Sequence, residues 1–270
     1  EREVSALTRA VLRHAVLLVF DTATAWLRDP QSVLTMIDRV EGETAVEAAR
    51  QRGRPVVFVL PHLGNWELIN HYLGARYGLT HMYQAARRPW LDRFVQSRRA
   101  RTGTRFVPAD RSGVRAQIEA LRAGGCIGTM ADQEPTVHDG TFAPYFGHAC
   151  WTGTLAPTLA RKADAAVFVS WCEREAGGRY RIRFMALETA PSPASFNALI
   201  EAAVRQSPAQ YVWTYKRFRT RPPGQPAFYP LPKVAFGAAR VYAARVATRF
   251  AGALPLRVLH GLARAGAAIL

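Results

Sequence analysis

Acidic residues run out before this chain does. After Glu201 there is no Asp or Glu, while Arg205, Lys216, Arg217, Arg219, Arg221, Lys233, Arg240, Arg245, Arg249, Arg257 and Arg264 all follow. Cysteine is scarce too. Cys126, Cys150 and Cys172 are odd in number and form no Cys-x-x-Cys, which argues against a disulfide framework and a structural zinc site and leads to an expected cytosolic face. There is no Gly-x-Gly-x-x-Gly and no phosphate-loop lysine, so nucleotide-binding loops have no support. No Gly-x-Ser-x-Gly elbow points to a serine hydrolase, and no Glu-x-x-His or His-Glu-x-x-His pair offers metal ligands. Long apolar runs are missing as well. The charge-free stretch 141–160 is broken by Pro144, Gly147, Gly153 and Pro157, so membrane contact is expected to be peripheral or monotopic. The first residues are acidic and do not read as a secretory signal.

What the chain has in excess is positive charge, a formal +16 over 270 residues. Its distribution is uneven: residues 1–50 carry more acid than base, whereas residues 80–122 hold ten arginines against three acids. This asymmetry implies an anionic partner, whether nucleic acid, lipid headgroups or a phosphorylated substrate. Charge alone permits a non-catalytic nucleic-acid-binding module, but no recognised nucleic-acid signature accompanies it.

One stretch gives the chain a chemical centre. Val56 to Leu60 is a continuous apolar run, as in a strand buried on both faces, and it ends in Pro61-His62-Leu63-Gly64-Asn65-Trp66-Glu67. Trp66, Ile69, Leu73 and Tyr77 then recur at helical spacing. His62 and Glu67 therefore flank a strand-to-helix turn at the end of a strand, where open α/β sheets keep their ligands. A carboxylate on one imidazole nitrogen fixes the tautomer and leaves the other nitrogen free to take a proton from a hydroxyl. The expected partner of His62 is Glu67, and the backbone amides near Gly64 and Asn65 are expected to stabilise an oxyanion.

This phrase resembles the His-x4-Asp/Glu motif of the glycerolipid acyltransferase superfamily, in the Pro-His-x-Gly-Asn-Trp-Glu form of its late lipid A branch. Arg88-Pro89 is similar to that family's second block. Asp132-Gln133-Glu134, with Asp139 to Gly147, is similar to its third, and Gln210 to Pro222 resembles a basic closing signature. The resemblance covers residues 1–229. It implies transfer of a fatty acyl chain from acyl carrier protein to a hydroxyl of a Kdo-bearing, phosphorylated lipid A precursor, at the cytoplasmic face of the inner membrane, with no cofactor and no nucleic acid. His62 and Glu67 would be catalytic, and Asn65, Arg88, Asp132, Lys216, Arg217 and Arg219 would bind substrate. A relative acting on another membrane glycolipid or a lysophospholipid is the alternative.

Periodicity predicts helices over 4–27, 43–51, 66–77, 90–101, 113–123, 151–163 and 196–205. It predicts strands over 36–40, 56–60, 81–85, 105–107, 126–131, 166–172 and 180–184, with 138–147 as a loop. The first helix carries an apolar stripe through Leu7, Val11, Ala15, Leu18 and Thr22 and is expected to end before Pro30. The expected fold is α/β, a mixed and largely parallel sheet flanked by helices, with an acyltransferase domain over 1–230 and a basic amphipathic helical tail over 231–270. Within that tail, Leu254 to Leu262 resembles the apolar, arginine-flanked segment with which family members usually begin. A permuted order is one expectation, with Leu270 near Glu1, and an ordinary carboxy-terminal extension is the alternative.

Overall fold

The computed structural model describes residues 2–86 and 88–229. The tail over 231–270, and with it the expectation that Leu270 meets Glu1, lies outside the described residues. The elements are α1 (Arg2–Leu27), α2 (Pro30–Leu34), β1 (Ile37–Glu41), α3 (Glu43–Gln51), β2 (Val56–Val59), α4 (Trp66–Tyr77), β3 (Leu79–Tyr83) and α5 (Pro89–Arg99). They continue with β4 (Arg105–Pro108), α6 (Arg111–Arg122), β5 (Cys126–Thr129), β6 (Gly140–Tyr145), β7 (His148–Gly153), α7 (Leu155–Lys162), β8 (Ala166–Arg174), β9 (Tyr180–Ala186) and α8 (Pro193–Gln206).

Seven strands form one sheet in the order β1-β9-β8-β2-β5-β3-β4, parallel throughout except where β8 meets β9. The expected mixed, largely parallel sheet between helices is what the chain forms. β2 sits at its centre, pairing in parallel with β5 on one side and β8 on the other. Its residues alternate between two cores, and all four are fully buried. Val57 and Val59 join Leu159 of α7 and Phe196 and Ile200 of α8 on one face. Val56 and Phe58 join Val46 of α3 and Leu68, Ile69 and Leu73 of α4 on the other. This is why the run reads as continuously apolar instead of alternating.

The connections set the position of the site. From β2 the chain leaves through α4, which packs on the second face. From β5 it leaves through the β6–β7 hairpin and α7, whose Leu159 and Ala160 pack on the first face. Adjacent parallel strands whose connections depart on opposite faces leave a crevice beyond their carboxyl ends. Pro61 and His62 follow β2 into that crevice, and Asp132 follows β5.

The structure differs from the sequence reading in several places: α2 is not among the expected helices, and residues 151–153, expected as the start of a helix, end β7. The stretch expected as a loop is the β6–β7 hairpin, in which Phe142 pairs with Trp151 and Tyr145 with His148. Its turn is built on Phe146 and Gly147, both at positive φ, without the Asn-Gly or Asp-Gly pair that usually announces a hairpin. The first helix buries His14, Asp21 and Ala25, while of the apolar stripe Val11, Leu18 and Thr22 are half-buried, and Leu12, Val16, Val19 and Leu27 are exposed.

Candidate active site

The backbone of the turn after β2 is held on two sides. The Gly64 N–H donates to the Gln210 carbonyl at 3.0 Å, the Asn65 N–H donates to the Cys172 carbonyl at 2.8 Å, and the His62 carbonyl accepts from the Val212 N–H at 3.0 Å. Gly64 has φ +65°, and a Cβ there would lie 2.0 Å from the Cys172 carbonyl oxygen. Neither a side chain nor its backbone conformation is tolerated at that point. Gly64→Ala is therefore expected to cost more than about 1 kcal/mol of stability, checked by chemical denaturation.

This turn presents the His62 side chain, 20% exposed, to the crevice. Its Nδ1 lies 2.9 Å from Oδ1 of Asp132, and its backbone N–H donates to Oδ2 of the same carboxylate at 2.7 Å. Asp132 is only 2% exposed, so both of its oxygens are committed to one residue. An ionised carboxylate only accepts hydrogen bonds, so the ring proton belongs on Nδ1 and the lone pair on Nε2. The Gln133 side-chain amide lies 3.3 Å from that Nε2. Trp66 stands edge-on to the imidazole at 5.3 Å between ring centroids. Such a group can take a proton at Nε2 from a hydroxyl brought into the crevice.

The expected imidazole partner, Glu67, faces elsewhere. It is 2% exposed on the first turn of α4, and its carboxylate receives the Arg99 guanidinium, through Nε at 3.1 Å and through Nη2. Arg99 lies in turn over the rings of Phe106 and Tyr83, at 5.1 and 5.7 Å. The acid five residues beyond His62 thus ties α4 to α5, and the acid supplied by β5 meets the ring. Removing Glu67 leaves the Arg99 cation without its counter-charge. Glu67→Ala is expected to lower stability by about 3 kcal/mol, the low end for a broken buried pair because Arg99 keeps some solvent. A Glu67→Ala, Arg99→Ala double variant should recover part of that loss.

The remaining expected residues separate into two groups. Asn65 is buried and accepts the Leu68 N–H at 3.0 Å, capping α4, so it is a turn residue and does not face the crevice. The Gly64 and Asn65 amides expected to hold an oxyanion are already bonded to carbonyls. Arg217 is 3% exposed and donates to the Trp151 carbonyl at 2.5 Å and to Thr152 Oγ1 at 3.2 Å, which fastens the closing segment to the hairpin. Arg219 is exposed but pairs with Glu134 at 3.2 Å. Glu134 also accepts the Thr220 N–H at 2.9 Å. Lys216 is exposed beside the Tyr229 ring at 5.7 Å. Arg88 is exposed immediately before α5, beyond the carboxyl end of β3, on the same sheet edge as His62.

Sequence reasoning missed Arg99, one of ten arginines in its region, because nothing local distinguishes it. It also missed a polar cluster beneath α1. Asp21 pairs with Arg174 and accepts the Tyr180 hydroxyl at 2.7 Å. Burial, then Arg174, push the His14 pKa down to about 4.

Comparison with known proteins matches the sequence to one family. A sequence model described as "Bacterial lipid A biosynthesis acyltransferase" matches residues 1–220. The chain is 28% identical over 229 residues to the lipid A biosynthesis palmitoleoyltransferase of Escherichia coli K12, covering 80% of this chain and 72% of that protein. It is 25% identical over 222 residues to the lipid A biosynthesis lauroyltransferase of the same organism, covering 78% and 71%. A lipid A biosynthesis acyltransferase of Haemophilus influenzae Rd is 26% identical over 191 residues, covering 67% and 58%.

Proposed function

Because this chain belongs to the bacterial lipid A biosynthesis acyltransferase family, we propose that it moves a fatty acyl chain from acyl carrier protein to a hydroxyl of a Kdo-bearing lipid A precursor, with His62 as general base. The observation that carries this reading is the His62 imidazole, bonded at Nδ1 to Asp132 and left with a lone pair at Nε2 in the crevice.

In the proposed reaction Nε2 takes the acceptor's hydroxyl proton as the oxygen attacks the thioester carbonyl. The Asp132 carboxylate stabilises the imidazolium that forms. Collapse of the tetrahedral adduct breaks the carbon–sulfur bond and forms the ester, and the departing thiolate recovers the proton from Nε2. No covalent acyl-enzyme is required, because holding both substrates together already converts the attack into an intramolecular event. Since the Gly64 and Asn65 amides are occupied, the Gln133 amide is the donor proposed for the carbonyl oxygen as charge develops there.

The site is proposed to work at the cytoplasmic face of the inner membrane. α1 is long and apolar enough to cross a bilayer by length and composition, and Leu12, Val16, Val19 and Leu27 are exposed on it while His14 and Asp21 turn inward. A helix with polar residues inside and apolar ones outside suits a lipid environment. Turnover of an acyl carrier protein thioester with a tetra-acylated, Kdo-bearing precursor tests the reading, with a lysophospholipid and the acyl-CoA thioester in parallel. Transfer to the lysophospholipid alone would replace the acceptor, and transfer from acyl-CoA alone would replace the donor.

A further inference from the structure

A second opening lies on the same side of the molecule, between α1 and the end of β8. It is a cavity of about 490 Å³ lined by Arg9, Arg13, His14, Leu17, Arg174 and Gln210, among others. Arg9 and Arg13 are one helical turn apart and so share a face of α1. Both are exposed, and neither forms an ion pair among the described residues. The third guanidinium, Arg174, gives one nitrogen to Asp21 and Tyr180, and its Nε has no hydrogen-bond partner. His14, 7% exposed on this wall, has an unpartnered Nε2. The one acid on the lining, Glu175, is already held by Arg39 and Arg181. The cavity therefore offers three guanidinium groups, two buried unpartnered nitrogens and no free carboxylate.

We infer that this cavity is a phosphate subsite for the anionic lipid acceptor. Two features of the surroundings favour a lipid phosphate over other anions. The outward face of α1 beside it is apolar, with Leu12, Val16 and Val19 exposed, so the two arginines stand next to a surface suited to acyl chains. Gln210, on the cavity wall, also holds the catalytic turn: its carbonyl accepts the Gly64 N–H at 3.0 Å, and its side chain brackets the Arg174 backbone at 2.9 Å. A phosphate held here lies across a single residue from the turn that carries His62. The subsite also adds to what the closing basic segment offers the acceptor's charge, since Arg217 is buried and Arg219 is paired there and Lys216 is the exposed cation.

The inference rests on the acceptor proposed above, and its test uses binding as well as turnover. Full-length His62→Ala protein, with and without R9Q/R13Q, is titrated with neutral-detergent micelles carrying either the phosphorylated precursor or its dephosphorylated counterpart. It is also titrated with phosphatidylcholine vesicles with and without phosphatidylglycerol. The double substitution is expected to weaken binding of the phosphorylated precursor about tenfold and to leave the dephosphorylated one unaffected. In the enzyme with His62 intact, the KM for acceptor should rise while the KM for acyl donor holds. A loss confined to the phosphatidylglycerol vesicles would overturn it in favour of attachment to the bulk bilayer. Equal binding before and after substitution, equal weakening for both precursors, or a rise confined to the KM for acyl carrier protein would each overturn it, the last in favour of a protein-docking face. Arginine-dependent binding of the phosphorylated precursor without turnover would sink the proposed reaction and leave the subsite standing.

Discussion

Replacing His62 by alanine is expected to reduce acyl transfer by about a hundredfold to ten-thousandfold while leaving the fold intact. The size follows from what is lost. A positioned general base contributes roughly 10²–10⁴ in rate, and here no other side chain among the described residues takes its place at the crevice. Asp132 is bonded to the same residue through both oxygens, and Glu67 is bound to Arg99. The substitution should be mild for stability, since the His62 side chain is partly exposed and the backbone bonds from its N–H to Asp132 and from its carbonyl to Val212 do not need the ring. Initial rates with saturating acceptor, read beside thermal denaturation of the same preparation, decide the matter. A rate within tenfold of the parent in a folded protein would exclude the imidazole as the base. The effect should fall on kcat and not on the KM for acceptor, because the ring acts on the proton in flight and the subsite beside α1 holds the anion.

The parts of the fold that the sequence made legible are those where local pattern and tertiary placement agree. β2 declared itself because both of its faces are buried, and α3 because Gly53, at positive φ, stops the helix just past Gln51. His62 was legible for the same reason, since the strand must end and the sharp turn after it needs Gly64. The partner of His62 was harder to read, because sequence distance is a poor guide across a crevice. Glu67 is five residues away and Asp132 seventy, yet parallel pairing of β2 with β5 brings the farther one to the ring. Nor could spacing tell that Arg217 is buried against the hairpin while Lys216 beside it is exposed, since the hairpin itself was read as a loop. For α1, a long apolar helix carries no mark of which side faces protein. The answer came from residues that look misplaced on it, His14 and Asp21, whose partners Arg174 and Tyr180 arrive from β8 and β9.

Asp132→Asn separates the two possible partners of the imidazole and should be nearly as damaging as loss of the ring. The carboxylate now accepts twice, from the His62 N–H at 2.7 Å and from Nδ1 at 2.9 Å. An asparagine has one acceptor and one donor for these two places. If its oxygen keeps the backbone N–H, its amide nitrogen meets Nδ1 and forces that atom to accept, which moves the ring proton to Nε2 and removes the base. Substitutions of this kind that preserve shape but invert the tautomer lower kcat by about four orders of magnitude in the serine protease triad, a guide to the size expected here. Glu67→Gln should instead keep the tautomer, because that carboxylate meets Arg99 and not the ring, and its cost should be mainly in stability. Nitrogen NMR of labelled histidine gives a readout that a packing change would not move: His62 should carry its proton on Nδ1 in the parent and in Glu67→Gln, and on Nε2 in Asp132→Asn. A parent-like tautomer and rate in Asp132→Asn, with loss of both in Glu67→Gln, would return the role to the acid within the motif.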